Sequence, residues 1–196
     1  MIIRTIMAAA IAGIIAGVAV AEPVDGRTAR NALFNPNRTE VAILSGSRLS
    51  EQDAGVIRQV GTQLLYYAAI AISPDEGILS NATIAAADHH AIAAAETAAL
   101  AACNAARTGA AGCVIVAHVR PRGWQPGRAV QLGASATRDF RRTYGRGGGP
   151  RALAISPATG RWAIVKGDNA GPRAIEQCNA RAAEAGATDC NILVSD

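Results

Sequence analysis

The sequence is poor in aromatic and charged side chains. Of 196 residues, 4% are aromatic and 17% charged, against 50% hydrophobic. The low charge excludes a coiled coil, the hydrophobic half excludes a disordered chain, and 20 Gly are too few for collagen. Lysine is nearly missing, with Lys166 alone among 19 basic residues, a bias read as codon preference. There is no Cys-x-x-Cys, no His-Glu-x-x-His and no Gly-x-Ser-x-Gly. The Gly145–Pro150 run lacks the Gly-Lys-Ser/Thr of a phosphate-binding loop. No motif therefore specifies an activity, and the catalytic residues stay unknown at this level. No metal and no cofactor is predicted. A 5-aminolevulinate synthase has poor support, since it needs a Schiff-base lysine for pyridoxal phosphate and Lys166 closes a hairpin strand.

One long apolar run is present, at the start. Arg4 precedes an uncharged stretch from Ile6, and Ala19-Val20-Ala21 supplies a small-residue cleavage pattern before Glu22 and Pro23. This predicts a signal peptide over 1–21, with a periplasmic or secreted chain. The run is short of the roughly 20 apolar residues a spanning helix needs. No second such run follows, so no transmembrane segment is expected after cleavage. The mature length suits one proper core.

The most specific signal is internal. Residues 69–77 read Ala-Ile-Ala-Ile-Ser-Pro-Asp-Glu-Gly and residues 152–160 read Ala-Leu-Ala-Ile-Ser-Pro-Ala-Thr-Gly, identical at six of nine positions. Cys103-Asn104-Ala105 matches Cys178-Asn179-Ala180, and Cys113-Val114-Ile115 matches Cys190-Asn191-Ile192. Each apolar run reads as a strand ended by a turn, Pro presetting φ and Gly allowing a positive φ on exit. A return strand is predicted at Ile78–Ser80 and at Arg161–Lys166. Ala-rich helices are predicted at His89–Ala106 and Pro172–Ala185, with closing strands at Cys113–Val119 and Cys190–Val194. The expected fold class is α+β: two β-β-α-β units, 66–119 and 151–196, mostly antiparallel and stapled by disulfides. A small N-terminal α/β segment spans 22–65, and an Arg-rich connector spans 120–150.

An even cysteine count in an exported chain predicts disulfides. Four cysteines allow three pairings; the repeat favours Cys103–Cys113 and Cys178–Cys190, because both units then close by one rule. A four-cysteine metal site would show closer Cys pairs. The run Ala-Ile-Ala-Ile-Ser-Pro-x-x-Gly, the Ala-rich helix bearing a Cys and the final Asp189-Cys190-Asn191-Ile192-Leu193 strand resemble a family of secreted bacterial domains of unknown function. Gly112-Cys113 departs from that ending. The resemblance implies fold and export, and brings no catalytic residues.

Outside the units, Asp25–Phe34 is expected to form a short helix and Val41–Leu44 a strand. Ser50 should cap a helix reaching about Gln63, with Val56, Ile57 and Val60 on one face, in a segment expected to pack on the sheet. Residues 120–151, the connector and the first residue after it, hold eight Arg against one acid, Asp139. A short helix over Ser135–Tyr144 would display Arg138, Arg141 and Arg142 as an anion-binding face. The bland alternative is a solvated connector. Trp124, Phe140 and Tyr144 are expected as buried anchors. The triplet Asp88-His89-His90 reads as a charged helix start, since adjacent His point about 100° apart on a helix. The leading functional expectation is a non-enzymatic module that binds an anionic envelope component or a protein partner, with no specific nucleic acid. The alternative is a small hydrolase or metal-dependent enzyme using Asp88, His89, His90 and His118.

Overall fold

A computed structural model describes residues 22–196, so the signal peptide expected over 1–21 lies outside the described residues. The fold is α+β, with a four-stranded and a three-stranded antiparallel sheet. In the first unit β2 (Ala68–Ile72) is central, flanked by β3 (Ile84–Ala86) and β4 (Val114–Pro121). In the second, β5 (Arg151–Ile155) is central, flanked by β6 (Trp162–Lys166) and β7 (Asn191–Ser195). The strand order is therefore the same in both. The register also slips at matched places, between Ile70 and Ala71 against β4 and between Leu153 and Ala154 against β7.

The alternation Ala-Ile-Ala-Ile explains the layers, because successive strand residues face opposite sides. Ala69 and Ala71 face α3 (Ile92–Ala106), which offers Ala95, Ala99 and Cys103 at four-residue spacing. Ala152 and Ala154 face α5 (Ala170–Ala183), which offers Ala170, Ala174 and Cys178. Both helices thus lie close to their sheets through centres of small side chains, with larger ones such as Leu100, Ile115, Val165 and Ile175 at the margins. The opposite faces carry the bulk. Ile70 and Ile72 pack on Ile57 of α2 (Glu51–Gly61), with Val41 of β1 (Thr39–Ile43) alongside. Leu153 and Ile155 pack with Ala29 of α1 (Gly26–Ala32), Phe140 and Tyr144.

The 22–65 segment is consumed by these sheets. Asp25 caps α1, its carboxylate accepting from the N–H of Arg27 and Thr28. Strand β1 extends the first sheet beside β4. Ser50 caps α2 as expected, but the buried face of α2 is Ala54, Ile57 and Gly61. Val56 and Val60 are exposed, correcting the expected face. The reason is at Gly61, where an added Cβ would lie 2.8 Å from Val41 Cγ1, so the helix rolls its smallest residue onto β1. The connector forms α4 (Ala134–Asp139), which continues as a π-helical turn, Phe140–Tyr144. Phe140 and Tyr144 are buried and stacked with centroids 4.6 Å apart, while Trp124 is half-buried under Arg120.

The disulfides are Cys103–Cys113 and Cys178–Cys190, with Cα atoms 6.1 and 6.0 Å apart. Beside each, an Asn side chain accepts from the N–H of the strand-opening Cys: Asn104 from Cys113 at 3.1 Å, Asn179 from Cys190 at 3.0 Å. A second tie joins the Ser-Pro-x-x-Gly turn to the loop before the last strand. In the second unit Asp189 supplies the acid, accepting from Ser156 Oγ and from Ala158 N–H at 2.8 Å. In the first unit Gly112 stands where that Asp would be, and the acids sit on the turn instead. Glu76 accepts from the N–H groups of Thr108 and Gly109, both at 2.8 Å, and Asp75 accepts from Ala111 N–H at 2.7 Å. The same two segments are clasped, with the carboxylate moved to the other side.

That clasp corrects the expected return strand at Ile78–Ser80. Ser80 Oγ donates to Glu76 at 2.6 Å and Ser80 N–H to Gly77 O, so residues 78–80 turn, and β3 begins only at Ile84. Hydrogen bonds from Ser80 and from the Gly109 and Thr108 N–H groups hold the Glu76 carboxyl down to about 2. A depressed carboxyl stabilises the fold above its ordinary value of 4.5 and loses that contribution as pH falls toward about 2.

Replacing Asp189 by Gly should cost about 2 kcal/mol in urea unfolding, because Ser156 is buried and loses a charge-assisted partner. Adding Ala158→Asp and Thr159→Glu should restore part of that loss by moving the acid to the turn. No recovery in the triple variant would show that the two arrangements are not equivalent.

Candidate functional site

The residues singled out for chemistry fall in three separate places. The first is the junction between the units. Asp88 has φ 61° and begins no helix of its own; α3 starts at Ile92 after Ala91, without a side-chain cap. This corrects the reading of the triplet as a helix start. Asp88 instead caps α4, its Oδ1 accepting from Ser135 N–H at 3.0 Å. His90 is buried between the units. Gly133 N–H donates to its Nδ1 at 3.1 Å, and its Nε2 lies 3.2 Å from Arg161 O. Nδ1 is thus the acceptor, and Nε2 carries the proton and donates. Two glycines make room for this strand of chain. A Cβ on Gly133 would lie 2.7 Å from His89 O, and one on Gly160 2.7 Å from Asp88 O.

Burial pushes the His90 imidazole down to about 4, and burial also lowers His89. Both ring nitrogens of His90 and one oxygen of Asp88 are spent on main-chain groups. His118 lies elsewhere, on β4, with Nε2 2.7 Å from Glu96 Oε1 of α3. Among the described residues, no group of three His, Cys, Asp or Glu side chains is placed to hold a metal ion. The structure therefore does not gather Asp88, His89, His90 and His118 into one centre.

The second place is the Arg-rich connector. Arg141 donates to Leu33 O at 2.8 Å, and Arg138 to Ser135 Oγ at 3.1 Å and toward Pro36 O at 3.5 Å. Arg128 donates to Ala32 O at 2.7 Å and lies over the Phe34 ring. These guanidinium groups satisfy carbonyls at and beyond the C-terminus of α1, where a helix leaves acceptors unpaired. Arg142 pairs with Asp139 at 2.5 Å. Of the three arginines named from the sequence, two hold the chain together and one meets the connector's single acid. Lys166 Nζ donates to Thr143 O and Arg146 O, at 2.5 and 2.6 Å.

The third place carries no sequence motif. A groove of 420 Å³ opens between the loop after β1, the first turn of α2 and the Ser-Pro-x-x-Gly turn. Leu49, Ile72, Pro74, Ile78 and Val114 line it with apolar surface, and Ser47, Arg48 and Asp53 supply its polar groups. Sequence reading missed it because its walls come from three separated stretches. The only local signal is Arg48, which follows Gly46-Ser47 with φ 53°.

No family model, curated protein or solved structure matches the chain. Among the described residues, no helix is long and apolar enough to cross a membrane.

The His90 geometry makes stability depend on pH. Between about 4 and 6.5 the unfolded chain takes up a proton that the folded one refuses, so stability rises with pH across this window. Thermal or urea unfolding should show about 3 kcal/mol lost from pH 7 to pH 4 through this group. Substitution by Gln should flatten that slope; an unchanged slope would assign it to other groups.

Proposed function

We propose that the chain is an exported, non-enzymatic binding module of the periplasm or the cell exterior. The reading is that it engages an anionic envelope component or a protein partner through a rigid two-unit scaffold. The observation that carries it is the pair of internal disulfides, each joining a helix to the start of a strand within its own unit. Such bonds form and persist in oxidising compartments. Each closes a short loop and contributes roughly 3 kcal/mol or a little less in the chain-entropy account. The leader-like residues 1–21 support export. The shared strand order and matched register slips support descent of the two units from one duplicated β-β-α-β segment. The resemblance to secreted bacterial domains supports the same setting.

For the anionic partner, the support is the exposed basic surface, in which Arg142 is held only by its solvent-facing pair with Asp139. Arg122, Arg142 and Arg146 are exposed on the connector. Arg138 and Arg141 serve the fold, so their replacement tests stability before it tests binding.

Co-sedimentation of the oxidised chain with envelope fractions and anionic vesicles, at low and high salt, tests the reading. Binding at low salt and release at high salt are expected. The Arg142→Ala, Arg146→Ala double variant should bind vesicles roughly thirtyfold more weakly, at about 1 kcal/mol per Arg, with its Tm unchanged. Binding at neither salt, or binding indifferent to both changes, would overturn the anionic partner.

A further inference from the structure

We infer that the groove beside Arg48 binds a free apolar amino acid. The side chain would lie on the apolar floor, the carboxylate at Arg48 and the ammonium at Asp53. Three observations carry this, and none depends on the anionic partner proposed above.

The groove has the size and character of a small-ligand site. Its 420 Å³ lies within the usual span of about 300–1,000 Å³, and its floor is aliphatic. Its polar groups are few and of opposite sign. Arg48 and Asp53 line the same space, yet neither takes part in any ion pair among the described residues. Asp53 receives Ser50 Oγ on its Oδ2 at 2.8 Å, which fixes the carboxylate. A fixed anion, a cation and an aliphatic floor together complement a zwitterion with an aliphatic side chain. A fatty acid would use the cation alone, and an aliphatic amine the anion alone.

The third observation is backbone conformation. Among the described residues, four other than glycine have positive φ: Arg48, Tyr67, Asp88 and Asn169. Three have a local reason. Tyr67 is buried and its carbonyl accepts His89 N–H; Asp88 caps α4; Asn tolerates the left-handed region through its short polar side chain. Arg48 is exposed and has no such reason. Glycine would occupy that φ without strain, and L residues held there concentrate at functional sites. The strain is accounted for if the guanidinium is needed at the groove.

Isothermal titration of the oxidised chain with L-leucine tests the inference. A saturable Kd on the order of 0.1–1 mM is expected for a ligand this small. Glycine, 4-methylpentanoate, isoamylamine and N-acetyl-leucine amide should each bind at least about tenfold more weakly, since each lacks at least one recognised group. Arg48→Gly should raise the Tm by relieving the positive φ while weakening leucine at least about tenfold. Asp53→Asn should weaken leucine but leave 4-methylpentanoate unchanged. No leucine heat up to about 20 mM would overturn the site. Equal binding of N-acetyl-leucine amide would overturn the amino-acid assignment and leave a groove that reads a side chain only. Equal binding by Arg48→Gly would remove the role of the guanidinium. Co-sedimentation could succeed or fail in each case, so the two readings fail separately.

Discussion

Each unit depends on a helix lying close against its own sheet. Alanine makes this approach possible: Ala95 and Ala99 meet Ala69 and Ala71, and Ala170 and Ala174 meet Ala152 and Ala154. Such a layer buries little apolar area per residue, because a methyl group is a small part of a side chain. Packing alone therefore gives the helix a weak hold. The added ties answer that weakness. A disulfide fixes a buried helix position to the strand opening, an Asn binds the N–H of the strand-opening Cys, and a carboxylate clasps the turn to the incoming loop. A bulky residue on this layer would force the helix outward, against those ties.

The clasp also shows what a departure from a pattern can conceal. Gly112 breaks the Asp-Cys ending seen at Asp189-Cys190, which reads as loss of an interaction. It is a relocation: Asp75 and Glu76 supply carboxylates to the same pair of segments from the turn. Position by position, Asp75, Glu76 and Gly112 differ from Ala158, Thr159 and Asp189. Taken as pairs in space, they conserve the contact. The consequence is local, because the Glu76–Ser80 bond holds residues 78–80 in a turn and delays the return strand, leaving Leu79 92% exposed.

Elements governed by short-range patterns were legible. The alternating run, the Ser-Pro-x-x-Gly turn, the Ala-rich helices and the caps at Asp25 and Ser50 all depend on near neighbours. Both cysteine pairings followed from matching one unit to the other. What escaped was set by partners distant in the chain. The buried face of α2 was decided by Val41 against Gly61, and the use of Asp88 by α4, more than forty residues on. The Arg-rich stretch was visible as composition, but composition does not show that the carbonyls beyond α1 would take up Arg128, Arg138 and Arg141. The groove at Arg48 was invisible for the same reason.

Differences between the units point to where function resides. Their Ala layers, bulges and disulfides correspond, so these features serve folding in both. The bulky faces do not correspond. The first is covered by α2, with Val41 of β1 alongside in the same sheet, the second by α1, α4 and the π-helical turn. Covering the second face consumes the guanidinium groups of Arg128, Arg138 and Arg141. Covering the first leaves an opening beside Pro74 and Ile78, where an Arg sits in a conformation suited to Gly. Two units with the same strand order but different covers can vary at the covers without loss of their internal ties. On that argument the loop 44–49, which belongs to neither unit, is where a specific ligand contact could arise at least cost to the fold.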